Sequence, residues 1–246
     1  MKNKGFLTTL LVLFSFHVIP GQAQDLEIPP GAVVRMVNCT ITGDRFSFND
    51  VVERARELNF DENAPNMIFF RQPIYTSSQY QENWDFQIAG YYSSYTEMVD
   101  RRVASGNDSY GRLPISCGSP MVVRNIPANQ GDGLEAQTAM LTRFCSLNEG
   151  ASVRGAYNRL RTAAENVAAA GNNTLLQMWL PGVGGELNSN FDFVLAQVGS
   201  TRQELTERMD MQRNGFRPIQ GNSSPVFSCD RPSMWATNRI YQAAVN

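Results

Sequence analysis

The sequence predicts an α+β protein that consists of two tandem copies of a strand–helix–strand–strand–helix–strand unit. Three repeated features support this duplication. Segment 83–86, NWDF, returns 107 residues later as NFDF at 190–193. The same spacing separates the helix-capping pattern Ser94-x-x-Glu97 from Thr201-x-x-Glu204. Each copy also carries two cysteines, one in its first predicted strand and one at the start of its last.

Each copy opens with a strand and a helix. Segments 33–43, VVRMVNCTITG, and 140–150, MLTRFCSLNEG, are short apolar runs that contain a cysteine and end in glycine, which is typical of a strand and its turn. A helical spacing of apolar residues follows in both copies. In the first copy this helix is capped by Ser47, with Asp50 three residues later. In the second copy the corresponding helix ends before Gly171.

The rest of each copy repeats in the same order. The second strands, in NMIFFRQPIY at 66–75 and NTLLQMWLPGV at 173–183, are apolar and are each ended by a proline, Pro73 or Pro181. The repeated NWDF and NFDF segments open the third strands, and the two capping patterns open the second helices. The last strands lie in 114–126, PISCGSPMVVRNI, and 226–241, VFSCDRPSMWATNRIY.

This element order is that of the ferredoxin-like βαββαβ unit. We therefore predict a signal peptide at 1–23, a first ferredoxin-like repeat at 24–127, a linker at 128–138 and a second ferredoxin-like repeat at 139–246. The linker, ANQGDGLEAQT, is polar and rich in glycine, as linkers between domains often are.

The four cysteines allow three pairings, and the predicted topology selects one. In this unit the first and last strands are antiparallel neighbours. Cys39 ends the first strand of its copy and Cys117 begins the last, so these two lie side by side. Cys145 and Cys229 have the same relation in the second copy. We predict the disulfides Cys39–Cys117 and Cys145–Cys229.

The amino terminus has the features of a secretory signal peptide. Two lysines precede an apolar run from Gly5 to Ile19, and small residues follow at 21–23. The run is short for a membrane span. We predict an exported, periplasmic or extracellular protein without a membrane span.

Removal of residues 1–23 takes away both lysines and the single histidine, His17. The remainder has 19 arginines against 23 acidic residues, a net charge of −4. A Ser-His-Asp triad, a Schiff-base lysine and a histidine-bound haem or zinc are therefore excluded from it. The acidity argues against nucleic acid as a partner. We predict no cofactor and no metal.

At the level of element order, the chain resembles the dimeric α+β barrel superfamily, with both halves in one chain. The resemblance implies that two sheets pack face to face around a lumen as a pseudo-dimer, so we expect a monomer with an internal pseudo-two-fold axis. The alternation of side chains along the strands suggests which residues face that lumen. Those with polar or aromatic groups are the candidate ligand-binding residues: Arg71, Asp85, Gln87, Gln177, Trp179 and Asp192. The same alternation puts Trp84, Phe86, Phe191 and Phe193 under the helices.

Two interpretations of this interior stay open. In one, Arg71 binds Asp85 or Asp192 and the polar groups only satisfy one another. In the other, the mixture of polar and aromatic groups is a pocket for a small molecule. The first function that we consider is an exported module that binds a small ligand or a protein partner. The alternative is a cofactor-independent, oxygenase- or isomerase-like enzyme of the α+β barrel type, with lumen Asp, Arg and aromatic residues at its site.

Overall fold

The computed structural model describes residues 27–76, 84–105, 109–184, 190–219 and 225–244, and the predicted signal peptide lies outside them. The elements of the first half are β1 (Ala32–Ile41), α1 (Phe48–Arg56), β2 (Met67–Tyr75), β3 (Phe86–Tyr92), α2 (Tyr95–Ser105), a 3-10 helix (Ser109–Arg112), β4 (Ile115–Cys117) and β5 (Met121–Pro127). Those of the second half are β6 (Gln137–Leu147), α3 (Val153–Ala169), β7 (Leu175–Pro181), β8 (Phe193–Val198), α4 (Arg202–Arg213), β9 (Phe227–Cys229) and β10 (Ser233–Gln242).

Eight of the strands form one closed antiparallel barrel. Their order around it is β10, β2, β3, β1, β5, β7, β8, β6 and back to β10. The prediction of two ferredoxin-like units packed sheet to sheet is therefore wrong. The strands at the borders of the halves pair edge to edge instead, β5 with β7 and β10 with β2. Closure of the barrel in this way leaves none of the eight strands with an unpaired edge.

The predicted last strand of each half is also wrong in detail, because it is split in two. The short β4 pairs with β1 and the short β9 pairs with β6, whereas β5 and β10 belong to the barrel. A proline stands at each break, Pro120 before β5 and Pro232 before β10. Proline has no backbone N–H to donate to a neighbouring strand, so continuous pairing is interrupted there.

Local sequence signals fix where the helices begin. Ser47 caps α1 and forms a reciprocal capping box with Asp50. Thr201 Oγ1 accepts the backbone N–H of Glu204 at the start of α4, and Ser94 Oγ accepts that of Glu97 at the start of α2. In both copies the glutamate carboxylate also accepts a backbone N–H, from Ser93 or from Ser200.

The side chains pack in layers on the two faces of the barrel wall. Outside the wall, α1 packs on a cluster that includes Phe70, Phe86 and Ile88, and α3 packs on one that includes Met178 and Phe193. Inside the wall lies a third cluster, which contains Met36, Ala89, Val123, Met140, Trp179, Val194 and Trp235. The barrel interior is therefore packed with side chains rather than being a wide channel.

The structure contains the two disulfides that the topology predicted. Cys39 bonds Cys117 across β1 and β4, and Cys145 bonds Cys229 across β6 and β9. They close stretches with sequence separations of 78 and 84 residues. Each bridge therefore ties the first strand of a half to a segment far along the chain. Within the described ranges, no helix is long and apolar enough to cross a membrane.

Candidate functional site in the barrel interior

Strand alternation places the interior side chains largely as predicted. On β3 and β8, Ala89, Val194 and Val198 belong to the interior cluster, whereas Phe86 and Phe193 pack under the helices. The placement of Trp84 and Phe191 under the helices is wrong. Both pack against the interior cluster. The reason is that β3 begins only at Phe86 and β8 only at Phe193, so regular alternation does not extend back to them.

Arg71 on β2 reaches into the interior and is 2% exposed. Its Nη1 donates to Gln87 Oε1 at 3.2 Å and its Nη2 donates to the hydroxyl of Tyr91. Its guanidinium carbon lies 4.9 Å from the ring centroid of Trp179 on β7, on the opposite side of the barrel. This is cation–π distance. All of these partners are electrically neutral.

Further polar groups continue from this arginine. Gln87 Nε2 donates to Asn38 Oδ1 at 3.1 Å, and Trp179 Nε1 donates to Gln177 Oε1 at 3.0 Å. Cross-strand register adds two more residues, because Thr237 lies opposite Arg71 and Asn125 lies opposite Trp179. We call this set the interior polar belt: Asn38, Arg71, Gln87, Tyr91, Asn125, Gln177, Trp179 and Thr237.

Three buried atoms of the belt have no hydrogen-bond partner among the residues that the structure describes. They are Arg71 Nε, Asn125 Oδ1 and Thr237 Oγ1. Asn125 and Thr237 lie at the two seams where the halves join, β5 with β7 and β10 with β2. A buried polar atom without a partner costs about 1–3 kcal/mol, and more when its group is charged. The belt can therefore still donate one hydrogen bond from Arg71 Nε and accept hydrogen bonds at Asn125 Oδ1 and Thr237 Oγ1.

Two stacked tryptophans lie in the same interior. The rings of Trp84 and Trp235 are 5.7 Å apart between centroids and nearly parallel, at 8°. Trp235 Nε1 donates to Thr142 Oγ1 at 2.7 Å, and Trp84 Nε1 is buried without a partner in the described ranges. The surroundings of the belt are thus aromatic, which suits a planar apolar ligand.

The structure brings Arg71, Gln87, Gln177 and Trp179 together but does not bring Asp85 and Asp192 to them. Asp85 Oδ2 accepts the backbone N–H of Ile41 at 2.7 Å, and Asp192 Oδ2 accepts that of Leu147 at 2.6 Å. Both aspartates are exposed. Their duplicated position therefore serves to hold the start of β3 or β8 against its neighbour.

Within the described part of the chain, no carboxylate pairs with Arg71. A buried cation without a counter-charge is unfavourable, since its desolvation is not offset by an ion pair. Sequence reasoning did not name Tyr91 as a candidate, although it shares the inward face of β3 with Gln87, and it missed Asn38, Asn125 and Thr237 as members of the site. Alternation along β1, β5 and β10 carried the signal, because Met36, Val123 and Trp235, two residues away, also point inward.

Comparisons with known proteins bear on this arrangement. A scan against protein-family models finds no match, and a search of curated proteins finds none either. Solved structures do match over nearly the whole chain. A putative monooxygenase from Lactobacillus acidophilus NCFM has 8% identity and a TM-score of 0.50, covering 86% of this chain and 95% of that chain.

Two further solved structures are less similar by TM-score. A mutant chlorite dismutase from Candidatus Nitrospira defluvii has 9% identity and a TM-score of 0.48, covering 87% of this chain and 94% of its own. An anthrone oxidase-like protein has 9% identity and a TM-score of 0.46, covering 88% and 98%. At such identities the likeness is one of fold, at the same level of element order at which the sequence predicted a resemblance.

Proposed function

We propose that this chain is an oxygenase-like enzyme of the α+β barrel type that works without a cofactor, and that the interior polar belt is its active site. The observation that carries the proposal is the buried guanidinium of Arg71, whose contacts among the described residues are all neutral and whose Nε has no partner there. The putative monooxygenase of the same fold supports the reaction class. Such a guanidinium stabilises an anionic oxygen, because a buried opposite charge is screened little by water.

The substrate class follows from the residues that are present. Residues 24–246 contain no histidine and no lysine, and no interior carboxylate pairs with Arg71 among the described residues. The belt therefore offers no strong base. A suitable substrate is already acidic, as an enol or a phenol is. Arg71 lowers the pKa of such a group when it binds, since a nearby positive charge favours the ionised form.

The substrate itself supplies the electrons for oxygen. An activated CH2 group loses a proton to solvent, and Arg71 stabilises the resulting enolate. Dioxygen adds to the carbon and forms a C–O bond, and the peroxide anion takes up a proton. Loss of water then leaves a ketone, so that CH2 and O2 become C=O and H2O. Arg71 acts by electrostatic stabilisation of the developing oxyanion.

The packed interior limits the size of the substrate. Seven of the eight barrel strands contribute to the interior cluster, and Arg71 comes from the eighth. We expect a molecule with one ring or two fused rings, which displaces the guanidinium from its present position 4.9 Å from the ring centroid of Trp179 and packs on that ring. Its oxygen accepts from Arg71 Nε, and a hydroxyl or amine on it donates to Asn125 Oδ1.

The second candidate function is an exported module that binds the same kind of molecule without converting it. The lack of an interior base favours it, because general-base catalysis commonly contributes a factor of about 10²–10⁴ to a rate. The two disulfides support an exported location, since disulfides persist in oxidising compartments. Cleavage after residue 23 and a monomeric state remain part of this proposal. Intact-mass measurement and sedimentation test them.

Two measurements separate the candidates. Binding is followed with 4-nitrophenol, whose phenolate is coloured. At a pH near its pKa, binding at Arg71 should raise the phenolate absorbance in proportion to bound probe. Turnover is followed as oxygen consumption with a panel of enolisable ketones and phenols. Binding with oxygen uptake supports the enzyme, and binding without uptake across the panel supports the module. An unchanged probe spectrum refutes both as interior functions.

A further inference from the structure

A groove lies on the outer surface of the second half, away from the barrel interior. It has a volume of about 440 Å³ and runs between the C-terminal half of α3 and the segment 214–219 that follows α4. We call it the α3 groove; its lining includes Arg159, Asn166, Ala169, Phe216, Arg217 and Ile219. Asn166 Nδ2 donates to Pro218 O at 2.7 Å and so holds the segment in place.

Arg208 of α4 lies behind one wall of this groove. The residue is 2% exposed, and its guanidinium carbon lies 5.2 Å from the ring centroid of Phe216, which lines the groove. Its Nε and Nη1 are buried and have no hydrogen-bond partner in the part of the chain that the structure describes. Burial lowers the pKa of Arg208 below its ordinary value, as expected for a desolvated cation.

The internal repeat offers a comparison for this arginine. Arg101 stands 107 residues earlier, at the spacing that relates the two capping patterns, and both of its terminal nitrogens have partners. Its Nη2 pairs with Glu97 Oε1 at 2.6 Å, and its Nη1 donates to Ala64 O and Asn66 Oδ1. The first copy therefore shows what a helix arginine at this position binds when a partner is available.

The second copy has the glutamate but uses it differently. Glu204 matches Glu97, and its Oε2 likewise accepts from Ser200. Its Oε1, the atom that would correspond to the one bound by Arg101, accepts the backbone N–H of Asn173 at 3.1 Å instead. Arg208 therefore loses the carboxylate that its counterpart has, while it becomes more deeply buried. An external anion would restore the missing partner.

We propose that the α3 groove binds an amphipathic organic anion with a carboxylate head and an apolar body. The body packs on Ile219 and Ala169. The ring of Phe216, which lines the groove and lies 5.2 Å from the guanidinium, turns aside so that the carboxylate reaches Arg208. Arg217 is exposed on the rim and adds positive charge that attracts an anion. A neutral molecule of the same shape gains the apolar contacts but leaves the guanidinium unpaired, so charge is what the site selects.

The proposal is tested with decanoate as the probe and decanol as its neutral control, by isothermal titration calorimetry on the full chain without its signal peptide. The protein should bind decanoate at one site, at least tenfold more tightly than decanol. Arg208→Met should weaken decanoate binding at least tenfold. The matched variant Arg101→Met should leave the affinity unchanged, although it lowers the melting temperature because Glu97 loses its partner.

A variant of the groove wall covers the case in which Arg208→Met does not fold. Ala169 is exposed and lines the groove, so Ala169→Trp fills the groove without a change to the arginine. It should abolish decanoate binding while the melting temperature stays the same. Decanoate binding that survives Ala169→Trp, or a wild-type protein that does not distinguish decanoate from decanol, would overturn the proposal. Arg208 would then be a structural cation on the face of Phe216.

Discussion

Replacement of Arg71 by methionine separates ligand binding in the barrel interior from packing there. Methionine fills a similar elongated volume but carries no charge and donates no hydrogen bond. The substitution therefore removes the proposed anchor for an anionic oxygen while most apolar contacts of the arginine stem persist. It leaves Gln87 Oε1 and the hydroxyl of Tyr91 without their present donor.

The effect on stability follows from opposing terms. Gln87 is buried, so its orphaned oxygen costs about 1–3 kcal/mol. Loss of the cation–π contact with Trp179 costs about 1–2 kcal/mol. Removal of a buried cation without a counter-charge is favourable by an amount of similar size, about 1–4 kcal/mol. These terms nearly cancel, so the melting temperature should change by no more than about 5 °C.

The effect on binding should be much larger. A buried charge pair that loses one partner typically costs 2–5 kcal/mol, which is about thirtyfold or more in Kd. The assay is the absorbance titration with 4-nitrophenol, run beside thermal unfolding, with Arg101→Met as the control. If Arg71→Met leaves the affinity for 4-nitrophenol unchanged, Arg71 does not bind the phenolate oxygen. A fall of 15 °C or more, in a protein that never binds the probe, would identify Arg71 as a packing residue.

Three further outcomes are expected. Replacement of both Cys145 and Cys229 by alanine should lower the free energy of unfolding by about 2–4 kcal/mol in chemical denaturation, and an unchanged value would mean that the bridge does not form. Burial alone would raise the pKa of Glu97, but hydrogen bonds from Ser93 and the charge of Arg101 outweigh it and hold that pKa below its ordinary value. The ionised Glu97 therefore stabilises the fold at any pH above its pKa in the unfolded chain, and this stabilisation is lost as pH falls through its lower pKa in the folded protein. In Glu97→Gln the free energy of unfolding should therefore fall less steeply with decreasing pH. Burial raises the pKa of Tyr157, so the stabilisation by its neutral form is complete below its pKa in the unfolded chain and is lost as pH rises through its higher pKa in the folded protein. In Tyr157→Phe the free energy of unfolding should therefore fall less at alkaline pH in the same measurement. An identical fall in the variant and the wild type would contradict this.

Sequence reasoning predicted the local structure well because its signals are local. Cap residues such as Ser47 and Thr201 act within one helical turn, and the structure begins α1 and α4 next to them. Cysteine placement in the first strand and near the last strand was enough to select the disulfide pairs. Alternation along β7 correctly predicted that Trp179 points away from the helices and into the interior.

The manner in which the two halves join could not be predicted from such signals. Face-to-face packing of two sheets and edge-to-edge closure of one barrel place the same residues inward, so the alternation pattern fits both. The difference lies in backbone pairing between β5 and β7 and between β10 and β2, which side chains specify only weakly.

Alternation along the strands did not predict the direction of the Asp85 and Asp192 side chains. Asp85 and Asp192 stand just before the first residues of β3 and β8, where alternation with the strand no longer fixes direction. Backbone N–H groups of β1 and β6 donate hydrogen bonds to the two carboxylates there. Arg71 lies in the middle of β2, where side chains alternate regularly, so it points into the interior although the two aspartates do not.

A crystal structure with bound 4-nitrophenolate would show whether Arg71 holds an anionic oxygen within the barrel. We expect the phenolate oxygen within hydrogen-bond distance of Arg71 Nε, with the ring against Trp179. A structure in which ordered water satisfies Nε, Asn125 Oδ1 and Thr237 Oγ1, and in which the probe lies outside the barrel, would contradict it.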